Sequence, residues 1–589
     1  MPAARVEPRH SSVFSVPTVN VNTRTVQSAY LQTEVNYLTA RNVGDIPSDA
    51  SQTIVIQYGS RHFKVGFARD ALPRTIPQVI AHRNASFEEV PWSEVSLPQE
   101  ELSERLATRY KNAKKKPPPN IYTSLVTHNR GVMPQNIPAL NDSYTFDWTR
   151  TRGAPFISGK EALRINPAEP YKLRWPIAKG NFNSKQYTSY YQVLDDLDKI
   201  WSLAISRDLK VLRRDFENYG IVLVVPDKVR GYEVRGLTEL CLKQMRFKSV
   251  AFILESVASS FGSGVSAACV VDIGAQTTKV CCVEDGQIAK DSQSILSYGG
   301  DQLTQLFLTI LKQHFFPYEE CDLNRALDFE LMDELKIRMC TMDEEDLASA
   351  VFEAYVRTPG CATKLYPFKV FEERIIIPSA LFEEGIPLLK YFVFPSDVEG
   401  KFYTGEADGM QLYYASDKNA NGMESAPSEE ALTAVNIDEM SEQANFDASV
   451  ADTAQIDTLP SVGGECWLSV PEAVFKALDS LENPDRIKKC LSSILIVGNG
   501  HKFPRLVAHL EGLLRDRYPD HEIEFVLGGG AGSLASSKEN LVLDAGIVSW
   551  KGGAVFAKLD CCLDFWISRR DYDSCGIRAF RERLNFVAS

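Results

Sequence analysis

Apolar and polar positions along this chain lay out the same strand-turn-strand unit twice. Thr53-Ile54-Val55-Ile56-Gln57 turns through Tyr58-Gly59-Ser60 and returns as Phe63-Lys64-Val65-Gly66-Phe67-Ala68. Much further on, Ala268-Cys269-Val270-Val271-Asp272-Ile273 turns through Gly274-Ala275 and returns as Thr277-Thr278-Lys279-Val280-Cys281-Cys282-Val283. Each copy has an apolar β-branched strand, a turn of glycine and small polar residues, and a second strand, a layout that directs turn N–H groups at an anion. Two such turns facing each other would clamp a phosphate between two related domains.

The same patterning predicts the elements between them. Ile221-Val222-Leu223-Val224-Val225-Pro226 reads as a buried strand ended by proline, and Ile494-Leu495-Ile496-Val497 as another that leads into Gly498-Asn499-Gly500. Helices are expected from Asp195 through Trp201, with acids in the first turn, from Val234 to Met245, and from Arg505 to Arg517. This alternation is that of an α/β protein. Met1 to about Ser51 is polar and reads as a flexible arm. Residues 84–153, mixed in Pro, Asn and charge, read as a long irregular insertion before Arg174-Trp175-Pro176-Ile177 resumes the ordered pattern.

Composition narrows the class. A chain of 589 residues, 44% hydrophobic, is globular but too long for one core, so about two to four domains are expected. Its 12 cysteines include the adjacent pairs Cys281-Cys282 and Cys561-Cys562 but no CxxC, which argues for reduced thiols against a zinc or disulfide framework. No segment has the apolar length of a membrane span or signal core, so a cytoplasmic or nuclear protein is expected. The net charge of −13 is local: fourteen acids between Asp397 and Asp457 face only Lys401 and Lys418, a balance of −12. That stretch reads as a solvated insertion or as an acidic surface for a basic partner such as histone. The opposite bias lies in Arg105, Arg109, Lys111, Lys114, Lys115 and Lys116, a solvated loop or a nucleic-acid contact.

The order of segments resembles actin and the actin-related proteins. The resemblance runs through the first hairpin, Trp175-Pro176-Ile177, the helix reaching Ile200-Trp201, Glu255-Ser256-Val257-Ala258, the second hairpin, the Gly498 turn and Trp550-Lys551-Gly552-Gly553-Ala554. It covers about residues 53–83, 153–382 and 466–587. Val280 to Gly286, Tyr298-Gly299-Gly300, Ser549 to Val555 and the tail Gly576 to Arg583 look like the actin-related protein 8 class, which belongs to Ino-eighty-type chromatin remodellers. The resemblance implies the α/β superfold of actin, hexokinase and heat-shock ATPases, two lobes with duplicated ribonuclease-H-like domains. It places residues 53–83 and 153–250 in a first lobe interrupted by 84–152, and residues 251–382 and 466–560 in a second interrupted by a disordered acidic 383–465. Residues 1–52 are then an arm, and 561–589 return to the first lobe.

It also implies a site for ATP and Mg²⁺. Gly59, Ser60 and Lys64 would meet phosphate, Asp272 would hold metal-bound water, Gly274 and Thr277 would face them, Gly498, Asn499 and Gly500 would follow the adenosine, and Lys336 would lie beside the purine. Three positions depart from actin: Gln57 replaces an acid, Glu255 the glutamine that positions the attacking water, and Lys279 a nearby histidine. An extra carboxylate beside a triphosphate is repulsive unless Lys279 pairs with it, so bound ATP without fast hydrolysis, and no catalytic residue, is expected. Phe261, Gly264, Phe556 and Leu559 match a groove that takes a helix, here the motor subunit's helical segment, although plain core packing would give the same residue types. The implied setting is nuclear, beside actin and another actin-related protein, with Lys114, Lys115 and Lys116 on nucleosomal or linker DNA and the acidic loop on histones. The insertions would obstruct filament formation. An active ATPase or phosphotransferase of the same superfold is the alternative and needs Gln57 and Glu255 to build a competent site; a cytoskeletal actin-related protein is a third reading.

Overall fold

A computed structural model of the chain describes residues 47, 49–87, 92, 95, 97–98, 121–343, 348–386, 388–392, 467–500, 502–527, 544–580 and 583. The arm up to residue 46, the Lys114 to Lys116 run, the whole acidic stretch from Asp397 to Asp457 and most of the tail beyond Phe580 lie outside the described residues.

Each repeated hairpin becomes the centre of a six-stranded sheet. In the first, Thr53–Gln57 pairs antiparallel with His62–Phe67 and parallel with Gly220–Val225, which pairs parallel with Ser249–Leu254. Arg74–Pro77 extends the hairpin side, and Ile567–Ser568, from the far end of the chain, closes the other edge. In the second, Ala267–Ile273 pairs antiparallel with Thr278–Glu284 and parallel with Ile494–Val497, beyond which lies Phe525–Leu527. Gln287–Ile288 and Ser294–Leu296 both add to the outer side of Thr278–Glu284. One topology therefore occurs twice, a hairpin with parallel strands added beside its first strand. Gly220–Val225 and Ser249–Leu254 are buried at every residue, which is why Ile221 to Val225 reads as an unbroken apolar run rather than an alternating one.

Two helices join the sheets. Glu255–Ser263 continues from the end of Ser249–Leu254, and Val548–Phe556 crosses it at a distance only glycine permits. A Cβ on Gly552 would stand 1.6 Å from the Ala258 carbonyl oxygen, and one on Gly262 would stand 2.2 Å from that of Val548. Gly553 faces the other way, where a Cβ would meet Val224 at 2.6 Å and Val55 at 3.0 Å. The Gly552-Gly553 pair thus lets one helix touch both a helix and a sheet. Trp550, wholly buried, donates its indole N–H to the Val55 carbonyl at 3.0 Å.

Two expected helices differ in their ends. The first begins earlier, as Tyr190–Ala204, because the Ser189 hydroxyl accepts the Tyr191 N–H and caps it there. Asp196 consequently lies inside the helix, buried, where it accepts from the Tyr187 hydroxyl at 2.9 Å and meets His82 at 3.0 Å. The helix expected at Val234 to Met245 runs as Gly231–Glu239 and then widens into a π turn, Leu240–Gln244.

The described part of the 84–152 insertion is ordered, against the irregular segment expected. It leaves Ile80–Arg83 and reaches the second lobe, where the Trp92 N–H donates to Asn324 Oδ1 at 2.8 Å and Leu97 joins the core. Ile121–Arg130 is a helix, and Gln135–Asn136 adds a strand to the hairpin of Ala350–Val356 and Lys364–Val370. Buried Asn129 pins it, donating to the carbonyls of His314 (2.9 Å) and Lys369 (3.0 Å) and accepting the Lys369 N–H (2.8 Å). The chain returns at Phe156–Ser158, which pairs with Ile80–Arg83. The described segments of the insertion thus form a strap with anchors on both lobes.

Candidate functional site

Between the two hairpins lies a cleft of about 1310 Å³. Gly59, Ser60, Lys64, Asp272, Gly274, Thr277, Lys336, Gly498, Asn499 and Gly500 all line it, so residues 441 positions apart in sequence share one space. The Gly274 N–H closes its turn on the Thr277 carbonyl at 2.9 Å, and Ser60 Oγ accepts the Gly180 N–H at 3.2 Å. Gly498 adopts φ +85°, and a Cβ there would lie 2.3 Å from the Ile273 carbonyl oxygen and 2.6 Å from Asp272 Oδ1. Glycine at 498 is what allows the Gly498-Asn499-Gly500 turn to rest directly on the second hairpin.

The duplication extends to side chains. Gln57 stands opposite Lys64 in the first hairpin, and Asp272 stands opposite Lys279 in the second. Lys64 Nζ donates to Gln57 Oε1 at 3.2 Å, and Lys279 Nζ lies 3.8 Å from Asp272 Oδ2. Glu255, at the start of its helix, ties the two together: Gln57 Nε2 donates to its Oε1 at 2.7 Å, and Lys279 Nζ donates to its Oε2. Burial acts to raise the Glu255 pKa, but the Lys279 ammonium, the Gln57 amide and Lys64 outweigh it and hold the group below the ordinary carboxylate range. Burial, then the negative charge of Glu255, pushes Asp272 up to about 7, while burial draws Lys64 down. Glu255 is thus an ionised carboxylate with both oxygens engaged, a poor arrangement for a base that must take a proton from water.

Lys336 reaches the cleft with its donors already matched. Its ammonium donates to the Gly300 carbonyl (2.8 Å), Thr304 Oγ1 (2.7 Å) and Asp333 Oδ1 (2.6 Å), which fastens Ala326–Met339 to Gly300–Gln313. Sequence reasoning missed Arg61. Its Nε–H donates to Asp301 Oδ2 at 2.8 Å across the cleft, and its guanidinium stacks on Phe329 at 4.1 Å and Trp175 at 4.6 Å. Gln276 Nε2 donates to the same Asp301 oxygen at 3.1 Å and its Oε1 accepts the Lys179 N–H at 2.8 Å, so four residues latch the two turns together. An arginine directly after Gly59-Ser60 was the available signal.

The residues around Asp272 do not fit a resident divalent cation. Hard cations of this kind are held through carboxylate, carbonyl and water oxygen; here position 57 is an amide whose oxygen already accepts from Lys64, and the one acid in register has an ammonium 3.8 Å away. Among the described residues no group of three or more His, Cys, Asp or Glu has the arrangement of a metal site.

The four groove residues separate on inspection. Leu559 is 37% exposed, and Gly264, at φ +75°, has open space where a Cβ would point. Phe261 is half-buried against the first core. Phe556 is wholly buried, its ring 6.1 Å from that of Phe565, so it is core rather than groove wall; Leu563, 37% exposed, is the apolar residue missed. No helix among the described residues is long and apolar enough to cross a membrane, and every described cysteine is free.

Duplicated sheets, a large cleft between their hairpins and a pair of helices joining the sheets define an actin-type protein. A family model for actin matches residues 48–358, and the chain belongs to the actin family. The relatives place it further. The chain is 30% identical over 581 residues to the actin-related protein 8 of Homo sapiens, 29% over 588 to that of Salmo salar and 28% over 581 to that of Bos taurus, each comparison covering 91% of this chain and 92% of the relative. A solved structure of human actin-related protein Arp8 in its ATP-bound state superposes with a TM-score of 0.69 at 26% identity, covering 91% of this chain and 97% of that one. Its branch of the family is therefore actin-related protein 8.

Proposed function

We propose that this protein is a nuclear scaffold subunit of an ATP-dependent chromatin remodeller that holds ATP as a structural ligand and turns it over slowly or not at all. The observation that carries the nucleotide reading is the clamp on Glu255: a carboxylate held by both Gln57 and Lys279 neither orients water as a neutral amide does nor accepts its proton. The human relative described in its ATP-bound state supports the ligand. Arg61 to Asp301 and the strap across the lobes favour retention over exchange.

The scaffold reading is supported by Gly264, Leu559 and Leu563, an open apolar edge suited to an amphipathic helix from the motor subunit. Actin and a second actin-related protein are the expected neighbours in that module. Nucleosomal or linker DNA would be met through phosphate contacts at Lys114, Lys115 and Lys116, and histones through the acidic stretch, with the strap and insertions opposing filament growth. The test is to denature purified protein, identify the nucleotide released, and time hydrolysis of labelled ATP beside Gln57→Asp. Released ATP with negligible turnover is the expected result. Steady turnover by the unchanged protein would overturn the structural-ligand reading in favour of an ATPase.

A further inference from the structure

We propose that the cleft binds its nucleoside triphosphate without a divalent cation, the fixed ammonium of Lys279 taking the place of the metal. The proposal rests on the ATP reading above and specifies its chemistry. The two hairpins are the same unit, and within that unit residue 57 corresponds to 272 and residue 64 to 279, each pair facing across the strands in register. Lys279 is therefore to the second turn what Lys64 is to the first. A triphosphate lying between the turns meets an ammonium from each side rather than an ammonium from one side and a metal from the other.

Charge bookkeeping within the network agrees. Lys64 and Lys279 stand against the carboxyl groups of Glu255 and Asp272, and the neutral Gln57 links Lys64 to Glu255 through its amide. The set carries no net negative charge before any cation enters. An aspartate at 57 would make it three carboxylates against two ammoniums, and a divalent cation would then be needed before a polyanion could approach. A cation bridging Asp272 to phosphate would instead sit beside the Lys279 ammonium, which is buried and held in place by Glu255. Repulsion at that range is weakly screened because the groups are out of solvent.

The experiment is equilibrium binding of radiolabelled ATP to nucleotide-stripped full-length protein in excess EDTA and in excess MgCl₂, with metal and nucleotide content measured on the protein as purified. Expected are affinities within about threefold in the two buffers and a nucleotide content well above the magnesium content. Lys279→Gln should lose more than about tenfold in EDTA and recover when magnesium is supplied, Lys279→Arg should bind as the parent does in both buffers, and Gln57→Asp should bind only with magnesium. Binding by the parent that requires magnesium would overturn the proposal and leave the ATP reading standing. Absence of binding in both buffers, by protein whose melting transition shows it folded, would overturn the ATP reading itself.

Discussion

Replacing Gly552 by alanine tests whether the two helices that join the sheets are in direct contact. The added methyl would stand 1.6 Å from the Ala258 carbonyl oxygen, 2.4 Å from its carbon and 2.8 Å from its Cα. All three are backbone atoms, so no side chain can rotate away, and carbon atoms settle at about 3.5–4.0 Å from their neighbours. Val548–Phe556 would have to withdraw from Glu255–Ser263 by about 1–2 Å, loosening its close packing and the 2.9 Å hydroxyl contact of Ser259 with Ser549. Overpacking of a tight core costs about 1–3 kcal/mol, and a rigid backbone collision with a strained hydrogen bond belongs at or above the top of that range. Gly512→Ala is the internal control: it lies in Leu506–Arg517 with no atom near its missing Cβ, and a helical glycine replaced there gains about 0.5–1 kcal/mol. Thermal melts of both variants should move in opposite directions. A Gly552→Ala protein melting within about a degree of the parent would refute direct helix contact, because a loss of several kcal/mol shifts Tm by several degrees.

Glu233 should make stability fall with rising pH. It is wholly buried, accepts the N–H groups of Phe182 (2.8 Å) and Arg230 (3.3 Å), and burial pushes its pKa from 4.5 to about 7. Between those values the native state keeps a proton the unfolded chain has released, so its contribution is full below about pH 4.5 and is lost as pH rises through about 7, on the order of 3 kcal/mol in all. Melting temperatures across that window should slope less for Glu233→Gln than for the parent; parallel slopes would mean the group does not titrate there. Asn129→Ala should leave the half-buried Lys369 N–H without this acceptor, a local cost on the order of 1 kcal/mol. Amide exchange across residues 121–136 should quicken while the rest of the second lobe keeps its protection, and unchanged exchange would show that Asn129 is not what pins the strap.

What the sequence made legible depended on how local the signal was. The hairpins were readable because β-branched runs and glycine turns are determined within a few residues, and the second strand ends within one residue of the pattern at Glu284. The Lys279 to Glu255 pairing could be anticipated once the resemblance placed both in one site, since a buried carboxylate needs a partner. The Gln57 bridge did not, because a neutral amide carries no electrostatic demand and its two contacts arise only when separate strands and a helix converge. Phe556 was misplaced for the complementary reason: the resemblance gives a groove position, but only the fold decides that this side of the helix meets Phe565. The strap was least legible, its anchors at Asn324, His314 and Lys369 lying hundreds of positions from Trp92 and Asn129.

The closure of the first sheet by Ile567–Ser568 sets the order in which a growing chain can be completed. Ser249–Leu254 is made early, yet its outer edge pairs with nothing until more than three hundred further residues have been synthesised, and the Trp550 that covers Val55 arrives almost as late. Until then the nascent chain exposes the unpaired edge of a largely apolar strand, the kind of surface that invites pairing with other chains. The first lobe to leave the ribosome is thus the last to be finished, and a chain truncated before Trp566 would hold every residue of the cleft while lacking the strand that seals it.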